Sequence, residues 1–485
     1  MNEILQFFQN PFSCVAAPEI IVLIMAVITL LVSLFVKEQR IYFVYALVQL
    51  TLGLSAYFSI AQIGNSSTSS LAFNGLYMAD DIGNWLKIFI DISAFGSFYY
   101  AKNYVQENNM PSSEYYLLGL LSVLGMLVLC SAHSLLMIYL GLETLSLPIY
   151  AMIALRRDVE NALEASIKYF VMGAIASGML LYGMSMLYGT TGSLDFSIIA
   201  QKTATASSLM ASFGLVFLIA GIGFKLAAVP FHMWAPDVYT GSPTSVTLFL
   251  STAPKIAGFA MAIRLLIFAV PGMLTQWQPI LIILTILSTA VSAFLAIAQT
   301  NIKRLLAYST IGHMGYALFG LISGTPAGYA ASLFYILIYS LMSLAAFALI
   351  TLMSRQGIEI QNIDDFKGLN SRNPWLAFLM LLLLLSLAGV PPLAGFFTKL
   401  LVLKALVDVG FIKLAIFGLI MAVISAFYYI RIIKVMYFDN APAEFKKIIL
   451  TKGEHAFFSI NTLSLLFLGI FPNALIQACL SAFGG

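Results

Sequence analysis

The sequence predicts an all-α membrane protein, a polytopic bundle of about 14 transmembrane helices. Hydrophobic residues fill 61% of the 485 positions and charged residues only 9%, whereas a soluble domain carries about 25% charged residues. Apolar runs of roughly 20 residues, the length that crosses a bilayer as a helix, recur along the whole chain. Two of these runs are interrupted by prolines close to a lysine. We therefore expect a helix bundle with two broken helices.

Taken in order, the apolar runs leave no soluble domain longer than a loop. Lys87 and Asp91 interrupt the third run. The predicted spans are about 18–36, 41–63, 85–104, 115–131, 135–155, 162–188, 209–239, 244–270, 279–299, 302–322, 328–352, 375–408, 413–437 and 456–478.

The loop lysines and arginines predict the orientation of the bundle. Most of them fall in one alternate set of loops, which includes Arg156, Arg157 and Lys447, and the opposite set contains only Lys202 and Lys413. Because short cytoplasmic loops are enriched in these residues, the fourteen-span arrangement places both termini outside the cytoplasm.

The seventh span, about 209–239, is the first broken helix. Pro230 and Pro236 each remove a backbone donor and clash with the preceding turn, so carbonyls near Leu226 and His232 should lose their helical partners. In lipid such carbonyls need other partners, so a break persists only where protein packs around it or water fills a cavity. Lys225 lies just before the break, and an ammonium at membrane depth normally marks an ion or proton pathway.

The twelfth span contains the second break, at Pro391 and Pro392, with Lys399 shortly after it. Five spans separate the two breaks, so the two broken helices run in opposite directions. Paired interrupted helices in opposed halves indicate inverted repeats. We therefore predict four parts: N-terminal helices in 1–114, a first five-helix repeat in 115–270, a second in 279–437 and a last helix in 456–485.

Three ionisable residues of the first predicted repeat are candidates for function. Glu143 lies near the middle of the fifth span, and its carboxyl is either functional, neutral through desolvation, or satisfied by a local hydroxyl such as that of Ser146. Lys168 follows Glu164 by four residues, which suits a relay residue and an ordinary surface ion pair equally. Lys255 lies too deep in the eighth span for its ammonium to reach either surface.

Further candidates lie in the second predicted repeat and at the first break. His313 is deep in the tenth span, with Ser309 and Tyr316 on the same helical face. His232 is either a gate or a helix-end cap. By contrast, Arg264 and Lys87 lie nearer span ends, where their side chains are expected to extend to the interface.

The deep residues form a central layer with one member on each of five helices: Glu143, Lys225, Lys255, His313 and Lys399. Ionisable groups in a medium of low dielectric constant affect one another's protonation, which is what a proton relay requires. We therefore predict a proton relay, and for these residues no role in oxidising a substrate.

The cysteines predict no redox or metal site in this chain. Cys14, Cys130 and Cys479 are scattered without disulfide, metal or iron–sulfur spacing. Phosphate-binding and dinucleotide-binding glycine patterns are also missing. The energy for transport must then come from an ion gradient or a partner subunit.

Three motifs carry a family resemblance that extends over essentially the whole chain. The runs 223–243 and 299–316, together with 387–399, resemble the antiporter-like membrane subunits of the proton-pumping NADH:quinone oxidoreductase, complex I. The resemblance implies that Glu143 and Lys225 form an interacting pair, that Lys255 and His313 are central relay residues, and that Lys399 is the terminal lysine. It also supports a relay role for Lys168.

The resemblance further implies partners and a location. It implies other membrane subunits as neighbours, one of them antiporter-like, in a bacterial inner membrane, and a peripheral arm that holds NADH, FMN and iron–sulfur clusters. Quinone, such as ubiquinone, is reduced in other subunits, and this chain binds no cofactor, metal or nucleic acid. A cation/proton antiporter subunit of the same fold is the alternative, and a plastoquinone-reducing complex is a variant of the first function.

Overall fold

A computed structural model describes residues 14–35, 42–64, 70–205, 208–354, 359–442 and 447–484. The two chain ends, 1–13 and 485, whose location outside the cytoplasm is predicted above, lie outside these ranges. The regular structure is almost entirely helical, so the predicted all-α class is confirmed. Strands occur in the described residues only as the antiparallel hairpin of β1 (Ser70–Ala72) and β2 (Tyr77–Ala79).

The described residues form twenty α-helices, α1 to α20 in chain order. They are α1 Ala17–Phe35, α2 Tyr42–Gln62, α3 Asp81–Glu107, α4 Ser112–Ser131, α5 Leu135–Ile153, α6 Glu160–Thr191, α7 Phe196–Thr205, α8 Leu209–Leu226, α9 Trp234–Gly241, α10 Thr244–Leu250, α11 Ala253–Ile263, α12 Leu274–Ile297, α13 Ile302–Ile322, α14 Pro326–Met353, α15 Leu369–Arg372, α16 Pro374–Ala388, α17 Ala394–Asp408, α18 Ile412–Phe438, α19 Lys452–Ile470 and α20 Asn473–Ala482.

The predicted number of about 14 spans is not confirmed by the length and composition of the described helices. Eleven described helical segments are long and apolar enough to cross a membrane, or up to 12 if the bent pair α19 and α20 counts as one span. The third predicted span is the 27-residue helix α3, which contains Lys87 and Asp91. The twelfth is divided into α16 and α17, each of 15 residues.

Several helices begin after a residue whose side chain accepts a hydrogen bond from a backbone amide of the first turn. Ser134 caps α5 by accepting from Met137 N, and Asn301 caps α13 by accepting from Arg304 N. Thr451 caps α19 in a capping box with Glu454. These caps satisfy amide groups that have no partner inside the helix, which fixes where each helix starts.

Backbone contacts divide the chain into two compact units. The first holds the described residues up to Tyr99 with Asn109–Leu226 and Thr252–Ile280. In it α4 packs along α5, α6 along α8, and α11 against α4 and α8. The second holds Tyr100–Asn108, Ala227–Ser251 and the described residues from Leu281 onward. In it α14 packs against α13 and α17, and α16 against α18. The predicted repeat boundaries remain a prediction.

Both predicted breaks are present. The first separates α8 from α9 and starts with Ala227 at φ 62°, and the second separates α16 from α17 and starts with Gly389 at φ 87°. A left-handed residue ends a helix because the chain then turns away from the helical path. The expectation that Pro236 breaks the helix is wrong: Pro236 lies in the first turn of α9, where a helix needs no amide donor.

A third interruption was not predicted. The eighth predicted span is divided into α10 and α11 at Ser251 and Thr252. Pro254 lies in the first turn of α11, directly before Lys255. The proline in this run was the available signal.

Candidate functional site

The first broken helix ends against a buried lysine. Nζ of Lys255, on α11, donates to the carbonyl of Leu226 at 3.3 Å and to that of Lys225 at 3.5 Å. Leu226 lies four residues before Pro230, so it is the carbonyl whose helical donor that proline removes. The expectation that this carbonyl needs another partner is confirmed, and the partner is the ammonium of Lys255, which is only 1% exposed.

The second broken helix ends in the same way, within the second compact unit. Nζ of Lys399, on α17, donates to the carbonyl of Leu387 at 3.0 Å and to that of Ala388 at 2.8 Å. Leu387 and Ala388 lie four residues before Pro391 and Pro392, which have no amide hydrogen to donate. Lys399 is buried and its Nζ lies 5.4 Å from the ring centroid of Tyr316.

Lys255 and Lys399 stabilise the carboxyl ends of the broken helices for the same electrostatic reason. The carboxyl end of a helix carries a partial negative charge, and its last carbonyls have no helical donor. An ammonium at this end is favourable for two reasons. Its positive charge lies close to the partial negative charge of the helix end, and it donates hydrogen bonds to the carbonyls without accepting any. The carbonyl near His232 differs: it accepts from Ala235 N at 2.9 Å, so the expected loss at that position is wrong.

Lys225 and Glu143 do not form an ion pair within the described residues. Nζ of Lys225 instead donates to Oγ of Ser146 at 2.8 Å. That hydroxyl in turn donates to the carbonyl of Leu142 at 2.6 Å, so it does not satisfy the Glu143 carboxyl, and this alternative is wrong. Glu143 is half-buried, and its Oε1 has no hydrogen-bond partner in the part of the chain that the structure describes.

Each compact unit contains a small cavity beside one of these lysines. In the first unit a cavity of about 10 Å³ is lined by Lys225, Ser146 and Tyr150. In the second unit another of about 10 Å³ is lined by Lys399 and His313. A polar cavity of this size is close to the smallest that holds one water molecule, which can relay a proton between side chains.

Glycine at position 258 leaves room for the Lys225 side chain. A β-carbon there would lie only 3.1 Å from Cγ of Lys225. Gly258 follows Lys255 by three residues on α11, so the two share a helical face, and the neighbour that Gly258 accommodates is Lys225.

His313 is buried in a network of hydroxyl groups. Its Nδ1 lies 2.7 Å from the hydroxyl of Tyr335, and its Nε2 lies 3.2 Å from that of Tyr429. Ser309, predicted on the same face, is 2.5 Å from the Tyr429 hydroxyl. Tyr316 donates instead to the carbonyl of Gly418 at 2.7 Å. Tyr335 and Tyr429 were not predicted from the sequence, where hydroxyl groups in apolar helices were the only signal.

The remaining candidates lie nearer the surface. Lys168 and Glu164 form an ion pair at 2.7 Å, with side chains 42% and 63% exposed. A relay role for Lys168 stays a prediction. At the breaks, His232 is half-buried, and Pro230, Pro391 and Pro392 are exposed.

Lys87 and Arg264 do not extend to the interface, so that expectation is wrong. Both side chains are 1% exposed and each is paired with a carboxylate: Lys87 with Glu19 at 2.7 Å and Arg264 with Asp80 at 2.6 Å. The partners are distant in sequence, so spacing within one helix could not reveal them.

Comparison with known proteins shows which family this chain resembles. Residues 132–425 match the model of the family described as NADH:quinone oxidoreductase/Mrp antiporter, transmembrane. Curated relatives named NADH-quinone oxidoreductase subunit N include those of Coxiella burnetii, 52% identical over 94% of this chain and 96% of the relative, and Thioalkalivibrio sulfidiphilus, 48% identical over 98% and 99%.

Solved structures give the same fold. A chain of respiratory complex I from Thermus thermophilus with bound aureothin superposes with a TM-score of 0.81 at 32% identity, covering 95% of this chain and 98% of that one. A chain of the Mrp complex from Dietzia superposes with a TM-score of 0.84 over 97% of both chains, but at 19% identity it shows the fold alone.

Proposed function

The chain belongs to the NADH:quinone oxidoreductase/Mrp antiporter family of transmembrane subunits, and we propose that it works in this family as a proton-translocating subunit of a respiratory NADH–quinone oxidoreductase. It is a polytopic membrane protein and part of a multisubunit complex. The name that its near-full-length relatives share supports the oxidoreductase over the antiporter, because the resemblance to the Mrp chain is one of fold.

One observation carries the assignment of the chemistry: a buried lysine caps each of the two proline-broken helices. Lys255 holds the carbonyl of Leu226, and Lys399 holds those of Leu387 and Ala388. A structural cap could be any donor, yet both breaks use an ammonium, a buried donor that can also give up a proton. Ionisable residues at membrane depth are costly and are retained for transport.

Loss of a proton from Lys255 or Lys399 changes the interaction between that lysine and the helix end that it caps. A neutral amine keeps two N–H donors but loses the positive charge, so its attraction for the partly negative carbonyls at the helix end weakens when the proton leaves. Water or a backbone adjustment can then compete for these carbonyls, which the helix interruption permits. Protonation at Lys255 or Lys399 is thereby coupled to the conformation of a broken helix.

Glu143 and Lys225 form the switch that feeds this relay. The arrangement with Lys225 on Ser146 is the separated state, and movement of the ammonium toward Glu143 makes the paired state. A buried ion pair contributes little net stability, because desolvation of the two ions nearly offsets their attraction. A small change in the complex can therefore shift the population between the two states.

The complete relay runs through Glu143, Lys168, Lys225, Lys255, His313 and Lys399. His313 is linked to hydroxyls on either side of its ring, which lets it pass a proton between them. The segments around Pro230 and His232, and around Pro391 and Pro392, act as the gates, because the backbone there lies outside the helices; Pro236, in the first turn of α9, marks where the first gate ends.

The other expectations from the sequence complete the proposal. The chain lies in a bacterial inner membrane with both termini on the periplasmic side, beside another antiporter-like subunit and smaller membrane subunits. NADH, FMN, iron–sulfur clusters and quinone bind in partner subunits.

A protein inventory of the intact native complex tests this assignment. We expect mass spectrometry of the complex purified through this chain to find flavin-binding and iron–sulfur proteins in stoichiometric amounts. A complex that contains only antiporter subunits would overturn the proposal in favour of a cation/proton antiporter.

A further inference from the structure

The N-terminal helices contain a second buried ionisable cluster. The family match starts at residue 132, so α1, α2 and α3 lie outside it. These helices nevertheless bury Glu19, Lys87 and Asp91, which are 7%, 1% and 1% exposed. No step of the relay described above uses them.

Of these three side chains, Glu19 has the most hydrogen-bond and ion-pair partners. Its Oε1 lies 2.7 Å from Nζ of Lys87 and accepts from Oγ of Ser131 at 3.0 Å, and its Oε2 accepts from the hydroxyl of Tyr77 at 3.0 Å. Lys87 also donates to the Tyr77 hydroxyl at 2.8 Å. Glu19 therefore keeps the Ser131 hydroxyl as a donor when Lys87 moves away, together with the Tyr77 hydroxyl, whose hydrogen it shares with the carbonyl of Val15 at 2.9 Å.

Asp91 is placed where Lys87 could move. It follows Lys87 by four residues on α3, so the two side chains share one helical face and lie roughly 6 Å apart along it. Its carboxyl faces the hydroxyl of Ser55 on α2 and is within electrostatic range of Lys87 and Glu19. Among the described residues, neither carboxyl oxygen is in a hydrogen bond of good geometry.

A purely structural role does not account for Asp91. The Glu19 and Lys87 pair already ties α1 to α3, and a further buried carboxyl without good hydrogen bonds only adds a desolvation cost. The first unit also buries hydroxyls without partners in the described ranges, at Thr29 on α1 and Ser59 on α2. The interior around α1 to α3 thus contains several polar groups beside Asp91.

The cluster is joined to the helix that carries Lys255. Ser131, which donates to Glu19, follows Cys130, whose carbonyl accepts from Nε of Arg264 at 2.8 Å. Arg264 comes directly after α11 and pairs with Asp80 at the start of α3. A chain of polar groups therefore runs from the cluster to the end of α11.

We propose that Asp91, with Lys87 and Glu19, is an additional proton-holding site of the pump, outside the two lysine-capped breaks. A proton is held as the Asp91 carboxylic acid while Lys87 pairs with Glu19. When the proton leaves, the Lys87 ammonium is shared with the Asp91 carboxylate, and Tyr77 and Ser131 continue to satisfy Glu19. The inference rests on the proposed proton-pumping function.

The test uses the complete complex with Asp91→Asn, which keeps the shape and removes the titratable group. We expect NADH oxidation and assembly to persist, and fewer protons to be pumped per electron. In infrared difference spectra of the purified complex, taken between oxidised and NADH-reduced states, a carboxylic-acid carbonyl band should be lost. Asp81→Asn, on the same helix but less buried, is the matched control and should leave both measurements unchanged.

The outcomes separate this site from the proposed function. An unchanged infrared band, or an unchanged ratio of protons to electrons, in Asp91→Asn overturns the site, even if variants of Lys255 and Lys399 stop pumping. Full pumping by those lysine variants would instead overturn the proposed relay. Lys87→Met should lower the thermal stability of the complex, because it leaves Glu19 buried without its counter-charge; unaltered stability would show that the pair is dispensable.

Discussion

Lys399→Arg separates the capping of the second broken helix from proton release. A guanidinium keeps the positive charge and can donate to the carbonyls of both Leu387 and Ala388, but it stays protonated in proteins. We therefore expect the arginine variant to assemble with near-normal stability and to lose proton pumping.

Lys399→Met provides the comparison, because it removes both hydrogen bonds and the charge. Each buried carbonyl left without a donor costs about 1–3 kcal/mol, but hydrogen bonds within membranes average about 0.6 kcal/mol, and water from the cavity can replace the ammonium. We expect a net loss of about 1–3 kcal/mol, seen as a lower melting temperature of the purified complex.

The assay is NADH-driven proton uptake in sealed inverted vesicles, normalised to assembled complex and to NADH oxidation. We expect the methionine variant to be less stable than the arginine variant, and both variants to pump poorly. Normal pumping by Lys399→Arg would refute the reasoning, because a permanently charged group cannot hand on a proton.

Three further predictions concern other parts of the chain. Glu143→Gln should assemble but impair proton pumping strongly, whereas Glu143→Asp, which keeps the charge, should retain more of it; equal and near-normal pumping in vesicles would exclude a charge requirement. Tyr429→Phe should cost about 1 kcal/mol of stability and slow pumping, because it removes one hydroxyl from His313; unaltered turnover at all pH values would exclude that hydroxyl from the relay. Because the three native cysteines are buried, a cysteine at Lys202 should react with a membrane-impermeant label from outside and one at Arg157 should not; the reverse pattern would contradict the orientation.

The sequence was sufficient to predict both broken helices and one of their consequences. Proline chemistry alone identifies the carbonyl of Leu226 as lacking its donor, since the effect acts over four residues of one chain. The same rule applies to Leu387 at Pro391. Local backbone chemistry of this kind depends on no distant partner, so it can be read from sequence.

The donors could not be predicted, because they depend on tertiary packing. Lys255 reaches Leu226 from another helix, and Lys87 and Arg264 find carboxylates that are far away in sequence. Nearness to the span ends instead favoured an interfacial position for Lys87 and Arg264, and local sequence offered Ser146 as one alternative partner for Glu143. Each error arose where a group from elsewhere in the chain supplied the contact.

Counting protons per electron in complexes that carry Lys255→Met, Lys399→Met or both tests the central claim most directly. The claim is that the lysines capping the broken helices carry the pumped protons. We predict that NADH–quinone oxidoreductase complexes with either substitution still assemble, and that proton uptake per NADH oxidised falls in each single variant and no less in the double variant. Full proton uptake per NADH in the double variant would contradict it.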